Sequence, residues 1–93
     1  MGGLSTEIKH KGLALLIQTQ DKGLKAQYVE SLVYSLGKVL VSRKTFYTSS
    51  LNSPDLKTKI NEIIKNQHQK IIEDISQGKF DHILKPEPAP NAT

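Results

Sequence analysis

The 93-residue sequence predicts an all-α protein: a small helical bundle of three main helices, two long and one shorter, over residues 1–84, with a disordered, extended Pro-rich tail or linker over 85–93. Three observations predict it. Isoleucines recur at three- and four-residue steps through the second half, and an apolar run of similar spacing precedes them. Leu, Ile, Val and Phe together supply 26 of the 93 residues, enough for one small core and too many for an unfolded chain. A chain of this length holds a single domain.

The first segment runs from Ser5 to about Gln20, with Ser5 as cap and Ile8, Leu15 and Leu16 or Ile17 on one helix face. The same region, "LALLIQTQ-DKG-LKAQY", also reads as two strands joined by a bulged turn with Gly23 in the left-handed position. Its length and the helical spacing downstream favour the helix. The second segment, Leu24 to about Tyr47, sets Tyr28, Leu32, Leu36 and Val39 beside Val29, Val33 and Leu40 in a broad apolar stripe. Gly37 inside such a helix costs about 1 kcal/mol against Ala unless it admits a close neighbour. The β-branched and aromatic end, "KVLVSRKTFYT", leaves a strand pair open there.

The third segment is the clearest. Ser53 is a good N-cap, Pro54 sits where a missing N–H costs nothing, and Asp55 suits the positive end of a helix. Leu56, Ile60, Ile63, Ile64, Ile71, Ile72 and Ile75 form one stripe, and Gly78 supplies a left-handed stop. The spacing predicts a helix from Pro54 to Gln77, with a short turn at Phe80–Leu84.

Composition narrows the chemistry. Without cysteine there is no disulfide scaffold, thiolate metal site or thiol nucleophile. His10, His68 and His82 match no metal-ligand spacing, and no glycine-rich phosphate loop or nucleophile elbow is present. The expectation is a non-enzymatic protein with no cofactor and no metal. The longest apolar run, Leu13–Ile17, is far short of the ~20 residues of a membrane span, so a cytoplasmic location is expected.

The net charge of +4 lies wholly in residues 1–48, which hold seven basic and three acidic side chains against six of each in 49–93. Twelve of the thirteen basic residues are Lys, a well-hydrated point charge rather than the planar fork that reads phosphates.

Three stretches carry candidate sites. "KNQHQK" (residues 65–70) interrupts the last stripe, with Gln67 and His68 on the side of Ile64 and Ile71. A polar layer there would fix register inside an interface. The plainer reading, a helix running past its neighbours into water, is the expected one. "SRKTFY" interleaves Arg43 and Lys44 with Phe46 and Tyr47, a pattern that grips nucleic acid but more often closes a core. "MGGLST" places Gly2 and Thr6 as N-myristoylation requires, a short motif that arises readily by chance.

The functional expectation is a helical protein-interaction module (adaptor, assembly factor or inhibitor), self-associating to cover a thin core. It presents Tyr28, Leu32, Leu36, Ile64, His68, Ile71 and Ile75 to a protein partner or to itself as an oligomer. The alternative is nucleic-acid binding through Lys22, Lys25, Lys38, Arg43 and Lys44. Below these stand a peripheral membrane protein lipidated at Gly2 and an analogy, on size and charge alone, with bacteriocin immunity proteins.

Overall fold

The structure, a computed structural model, describes residues 2–85. Four strands come first: β1 (Gly3–His10), β2 (Leu13–Asp21), β3 (Tyr28–Ser35) and β4 (Lys38–Phe46). One 3-10 turn (Thr48–Ser50) leads to the long helix α1 (Leu56–Ser76), and a single helical turn, α2 (Asp81–Leu84), closes the described chain. The strands form one antiparallel meander in the order β1-β2-β3-β4. Helix α1, about 31 Å long at ~1.5 Å per residue, lies across one face of it, touching β1, β2 and β3.

The all-α bundle is therefore overturned: only the last of the three expected helices exists. The segment Ser5–Gln20 forms most of β1 and most of β2, and Leu24–Tyr47 contains β3 and β4. The physical reason lies in the spacing. Positions i, i+4 and i+8 share a face on a helix and equally on a strand, whose period is two. Tyr28, Leu32 and Leu36 do share a face, but it is a face of the sheet. The residues between them decide the matter, since Val29, Ser31 and Val33 all turn to the opposite side and are buried. The expected tail falls outside the described residues, apart from Lys85.

Two hairpins explain the glycines. The β1–β2 connection is Lys11-Gly12 (φ +51° and +83°) and the β3–β4 connection is Leu36-Gly37 (+52° and +80°). Positive φ at both central residues matches the twist of the flanking strands. Gly37 is thus a turn residue, and its cost inside a helix never arises. A bulge between Val33 and Tyr34, opposed by Val39 and Val41, leaves Leu40 as the extra residue. Leu40 packs against the core while Val39 stays on the other face, half exposed at 50%.

Helix α1 follows the expected span closely. Its N-cap is Asp55 rather than Ser53, and neither side chain caps an amide; the Ser53 hydroxyl instead accepts from Lys59 Nζ at 3.1 Å. The C-terminus closes as a Schellman motif, with Gly78 (φ +79°) donating to the Ile75 carbonyl and Lys79 to that of Asp74, both at 3.0 Å.

The core has two parts. Leu15, Ile17, Val33, Val41, Ile71, Ile75 and Leu84 form one cluster, and Val29, Tyr47, Ile60 and Ile64 the other. Tyr47 is fully buried and donates to Asp21 Oδ1 at 2.5 Å, with the Gly23 carbonyl at 3.0 Å. Burial and the Asp21 carboxylate together push its pKa up to about 12. Asp21 also accepts from the Gly23 amide at 3.0 Å, so one carboxylate fixes the β2–β3 loop and the end of β4.

Leu36 stands out within this frame. It is 96% exposed and held in the left-handed region, where a branched hydrophobic side chain is disfavoured by roughly 1–2 kcal/mol. Replacing it by Asn, which tolerates that conformation, is expected to raise unfolding stability by about 1 kcal/mol, measured by urea titration. Lys11→Asn at the matching position of the first hairpin should give a similar gain. No gain in either variant would refute the assigned turn conformations.

Candidate functional site

Between the two apolar clusters runs a belt of polar side chains, one or more from each strand and two from α1. Gln67 and His68 are each 6% exposed, so the expectation that they project into water is corrected: both face the sheet. His68 Nδ1 lies 2.7 Å from the Thr19 hydroxyl and Nε2 lies 2.8 Å from that of Thr6. Thr19 and Ser31, opposite each other on β2 and β3, are 2.7 Å apart and wholly buried. Gln67 Nε2 donates to Ser31 Oγ at 2.8 Å and to the Arg43 and Val29 carbonyls at 3.2 and 3.4 Å, while its Oε1 accepts from Thr45.

Hydrogen-bond accounting orders this belt. Ser31 accepts from Gln67, which leaves its own proton for Thr19; Thr19 then donates to His68 Nδ1; and His68 Nε2–H donates to Thr6. The reverse order would strand the proton of the wholly buried Ser31, so the neutral Nε2–H tautomer is the one that matches every buried hydroxyl, the half-buried Thr6 acting as acceptor. Burial lowers the His68 pKa from its ordinary value, in keeping with a neutral ring flanked by two hydroxyls. A Thr19–His68 pair at this distance has the spacing of a nucleophile and its base, yet Thr19 is 0% exposed and meets no substrate without the sheet and helix parting.

Two charged clusters pin the C-terminal end of α1 and the turn after it. Asp74, buried on α1, receives Arg43 Nη2 at 3.0 Å, with Lys70 and Lys79 ammonium groups at 3.1 and 3.4 Å. Burial alone would raise the Asp74 carboxyl, but Lys70, Arg43 and Lys79 outweigh it and hold the pKa below the ordinary value. Arg43 also sits over the Phe80 ring, 5.5 Å from its centre. Asp81 at the start of α2 takes Lys11 at 2.6 Å and His10 at 2.7 Å, and those two partners hold its pKa down. These contacts tie the first hairpin and β4 to the C-terminal turn.

The other face of the sheet has no element over it among the described residues. Alternation places on it Ser5, Glu7 and Lys9 from β1; Ala14, Leu16, Gln18 and Gln20 from β2; Tyr28, Glu30, Leu32 and Tyr34 from β3; and Val39, Ser42, Lys44 and Phe46 from β4. A solvated face normally carries polar residues at these positions. Here Leu16, Leu32, Tyr34 and Val39 form an apolar patch running to Leu36. At the opposite end the Tyr28 and Phe46 rings meet at 5.0 Å, and Lys44 lies over Tyr28 at 4.9 Å.

The residues expected to bind a partner thus divide. Tyr28, Leu32 and Leu36 lie on this open face, whereas Ile64, His68, Ile71 and Ile75 are the buried side of α1 and hold the fold together. The five basic residues scatter. Lys44 is on the open face, Lys38 and Lys25 are exposed in or beside the turns, Lys22 reaches Glu30 at 3.9 Å, and Arg43 turns inward to Asp74. Gly2 sits against α1, where a Cβ would meet Asn61 Oδ1 and Ile64 Cδ1 at 3.1 Å. Sequence reasoning missed Leu16, Tyr34 and Val39 as surface, and Thr6, Thr19, Ser31 and Thr45 as the hydroxyl partners of α1, of which Thr19 and Ser31 are buried and Thr45 is exposed. The signals were the alternation "YVESLVYS" and the strand readings of "LALLIQTQ" and "KVLVSRKTFYT", which the helical spacing outweighed.

Among the described residues no three His, Cys, Asp or Glu side chains converge on a metal-sized site, and no helix is long and apolar enough to cross a membrane. Neither protein-family models, nor curated proteins, nor solved structures contain a match to this chain.

The belt makes stability pH-dependent. His68 binds its proton more weakly folded than unfolded, so the unfolded chain takes up more protons as pH falls, and stability drops. Stability should be level above about pH 6.5 and decline below it, at up to ~1.4 kcal/mol per pH unit. Asp74 and Asp81, with depressed values, lose their contribution only on further acidification below about pH 4. Urea titrations between roughly pH 7.5 and 5.5 check the first window. His68→Gln should abolish the slope; an unchanged slope in that variant would assign it elsewhere.

Proposed function

We propose that this chain is a non-enzymatic binding module working in the cytoplasm, and that it engages a protein partner through the open face of its sheet. The observation that carries the reading is Leu36. A leucine almost fully in water, in a backbone conformation that leucine disfavours, lowers the stability of the free protein. Such a residue is explained by a partner that covers it. Leu16, Tyr34 and Val39 continue the same surface, and the engagement of both His68 nitrogens by threonines supports a packing role for the belt rather than a catalytic one.

A photo-crosslinking amino acid placed at position 36 or 39, in cells that make the protein, tests this. Adducts are expected from both positions, to be lost on adding Tyr34→Lys, and to be missing from position 65 on the outer side of α1. Adducts chiefly at 65, or none at 36 and 39, would overturn the reading.

A second reading is favoured by the Tyr28–Phe46–Lys44 group at the other end of the same face, where Phe46 is 61% exposed. Exposed rings beside a lysine suit stacking against single-stranded nucleic acid. Fluorescence anisotropy with short DNA and RNA strands at ~50 and ~200 mM salt checks it. Binding is expected to weaken steeply with salt and, by about 1–3 kcal/mol, in Phe46→Ala. Flat traces at both salts would exclude it.

A further inference from the structure

The open face carries both a knob and a socket. The knob is Leu36 at the β3–β4 tip. The socket is a concavity of about 510 Å³ lined by Glu7, Lys9, Ala14, Leu16 and Tyr34, with Leu36 itself on one flank. Most of its lining comes from β1 and β2, with Tyr34 of β3 and the Leu36-Gly37 turn closing the other side, while the knob stands on the hairpin of β3 and β4. Knob and socket thus lie at the same end of the face, with the β1–β2 part of the socket across the midline between β2 and β3 from the knob.

A two-fold axis along that midline sets each Leu36 over the β1–β2 part of the other copy's socket. We propose that the open face is the interface of a symmetric dimer of this chain, in which Leu36 of each copy enters the socket of the other. The inference rests on the docking reading above and names the occupant. Under this operation β1 lies over the partner's β4 and β2 over the partner's β3, with the strands aligned as in face-to-face sheet packing. Leu16 then meets the partner's Tyr34, and Gln18 the partner's Leu32. Glu30 lies over the partner's Gln20 and Lys44 over the partner's Gly3, so these two charges oppose no like charge. The contact is isologous and closes on itself.

The area fits. Four strands ~4.8 Å apart and eight residues at ~3.4 Å give a face of about 19 by 27 Å, or roughly 500 Å² in plan. Side-chain relief brings its accessible surface toward the ~800 Å² per partner of a standard interface. Two sheets so joined form a sandwich with α1 on each outer side.

Sedimentation of the purified chain across a wide concentration range should show a reversible monomer–dimer equilibrium. Leu36→Asn should weaken the dimer by at least ~10-fold while the variant, at concentrations low enough that both chains are monomeric, is more resistant to urea than the unsubstituted chain, so that loss of association cannot be ascribed to unfolding. Because the chain has no cysteine, single thiols report the geometry. Chains carrying Ala14→Cys mixed with chains carrying Leu36→Cys should join by a disulfide on mild oxidation, and Leu36→Cys chains alone should join far less. A monomer at every concentration, a dimer indifferent to Leu36→Asn, or Leu36→Cys chains coupling as readily to themselves would overturn the dimer. Crosslinks from position 36 to a protein of another mass, with the purified chain monomeric, would overturn it and leave the docking reading standing. No crosslink at 36 or 39 removes both.

Discussion

The polar belt between helix and sheet is the constraint on which the rest of the structure depends. Thr6, Thr19, Ser31 and Thr45 come from four different strands, and Gln67 and His68 meet them from α1. Slipping any strand by one residue would turn its hydroxyl to the opposite face and leave a buried donor or acceptor unmatched. Sliding α1 by one turn would set Ile64 or Ile71 against the hydroxyls. An apolar interface of the same area tolerates such shifts, because hydrophobic contact has no direction. The belt therefore sets register, and the two apolar clusters on either side supply most of the favourable burial. Its own net contribution is modest, since each hydrogen bond replaces one with water.

That belt also explains how much of the fold was legible in the sequence. Helix α1 could be read because its buried side is a run of isoleucines broken at Gln67, His68 and Asp74. The strands were open only as alternatives, at "LALLIQTQ-DKG-LKAQY" and "KVLVSRKTFYT", because two features blur their alternation. Inward positions carry Thr19, Ser31 and Ser35, where a strand packed on a core ordinarily shows apolar residues. Outward positions carry Leu16, Leu32, Tyr34 and Val39, where polar residues are the rule. The four-residue spacing of Tyr28, Leu32 and Leu36 survives and imitates a helix. Turn chemistry gave little help either, as Lys-Gly and Leu-Gly are weak signals beside Asn-Gly or Asp-Gly. The polar stretch around His68 was visible as an anomaly. Its placement inside rather than outside depends on hydroxyls up to 62 residues away in the chain, at Thr6.

The charge pattern is rearranged by folding in a similar way. The first half of the chain holds the whole net positive charge, yet Arg43 and Lys11 reach across to Asp74 and Asp81 in the second half. Part of the excess is spent inside the protein, fastening β4 and the first hairpin to the C-terminal turn. The fork of the single arginine is used on a buried carboxylate, where directional donors matter more than charge alone. What remains outside is a dispersed set of lysines, with Lys44 among the aromatic rings.

The braced side and the bare side of the sheet are mechanically linked. A four-stranded meander alone would flex and twist, and ordering it on contact with a partner would consume binding free energy. Here the belt and the two charged clusters fix the inner side, so the outer side is already shaped before anything meets it. The bulge at Leu40 contributes to the same end, since one extra residue lets Leu40 and Val41 both serve the core while Val39 stays beside Tyr34. The rigid scaffold then holds Leu36 in a conformation it would not choose, with the cost borne by the hairpin tip and by no core residue. The strain, roughly 1–2 kcal/mol, stays at the tip and disturbs no packing in the core. In a partner's concavity the same fixed leucine loses almost no backbone freedom, and that low entropic loss is the physical advantage of a preset anchor over a flexible one.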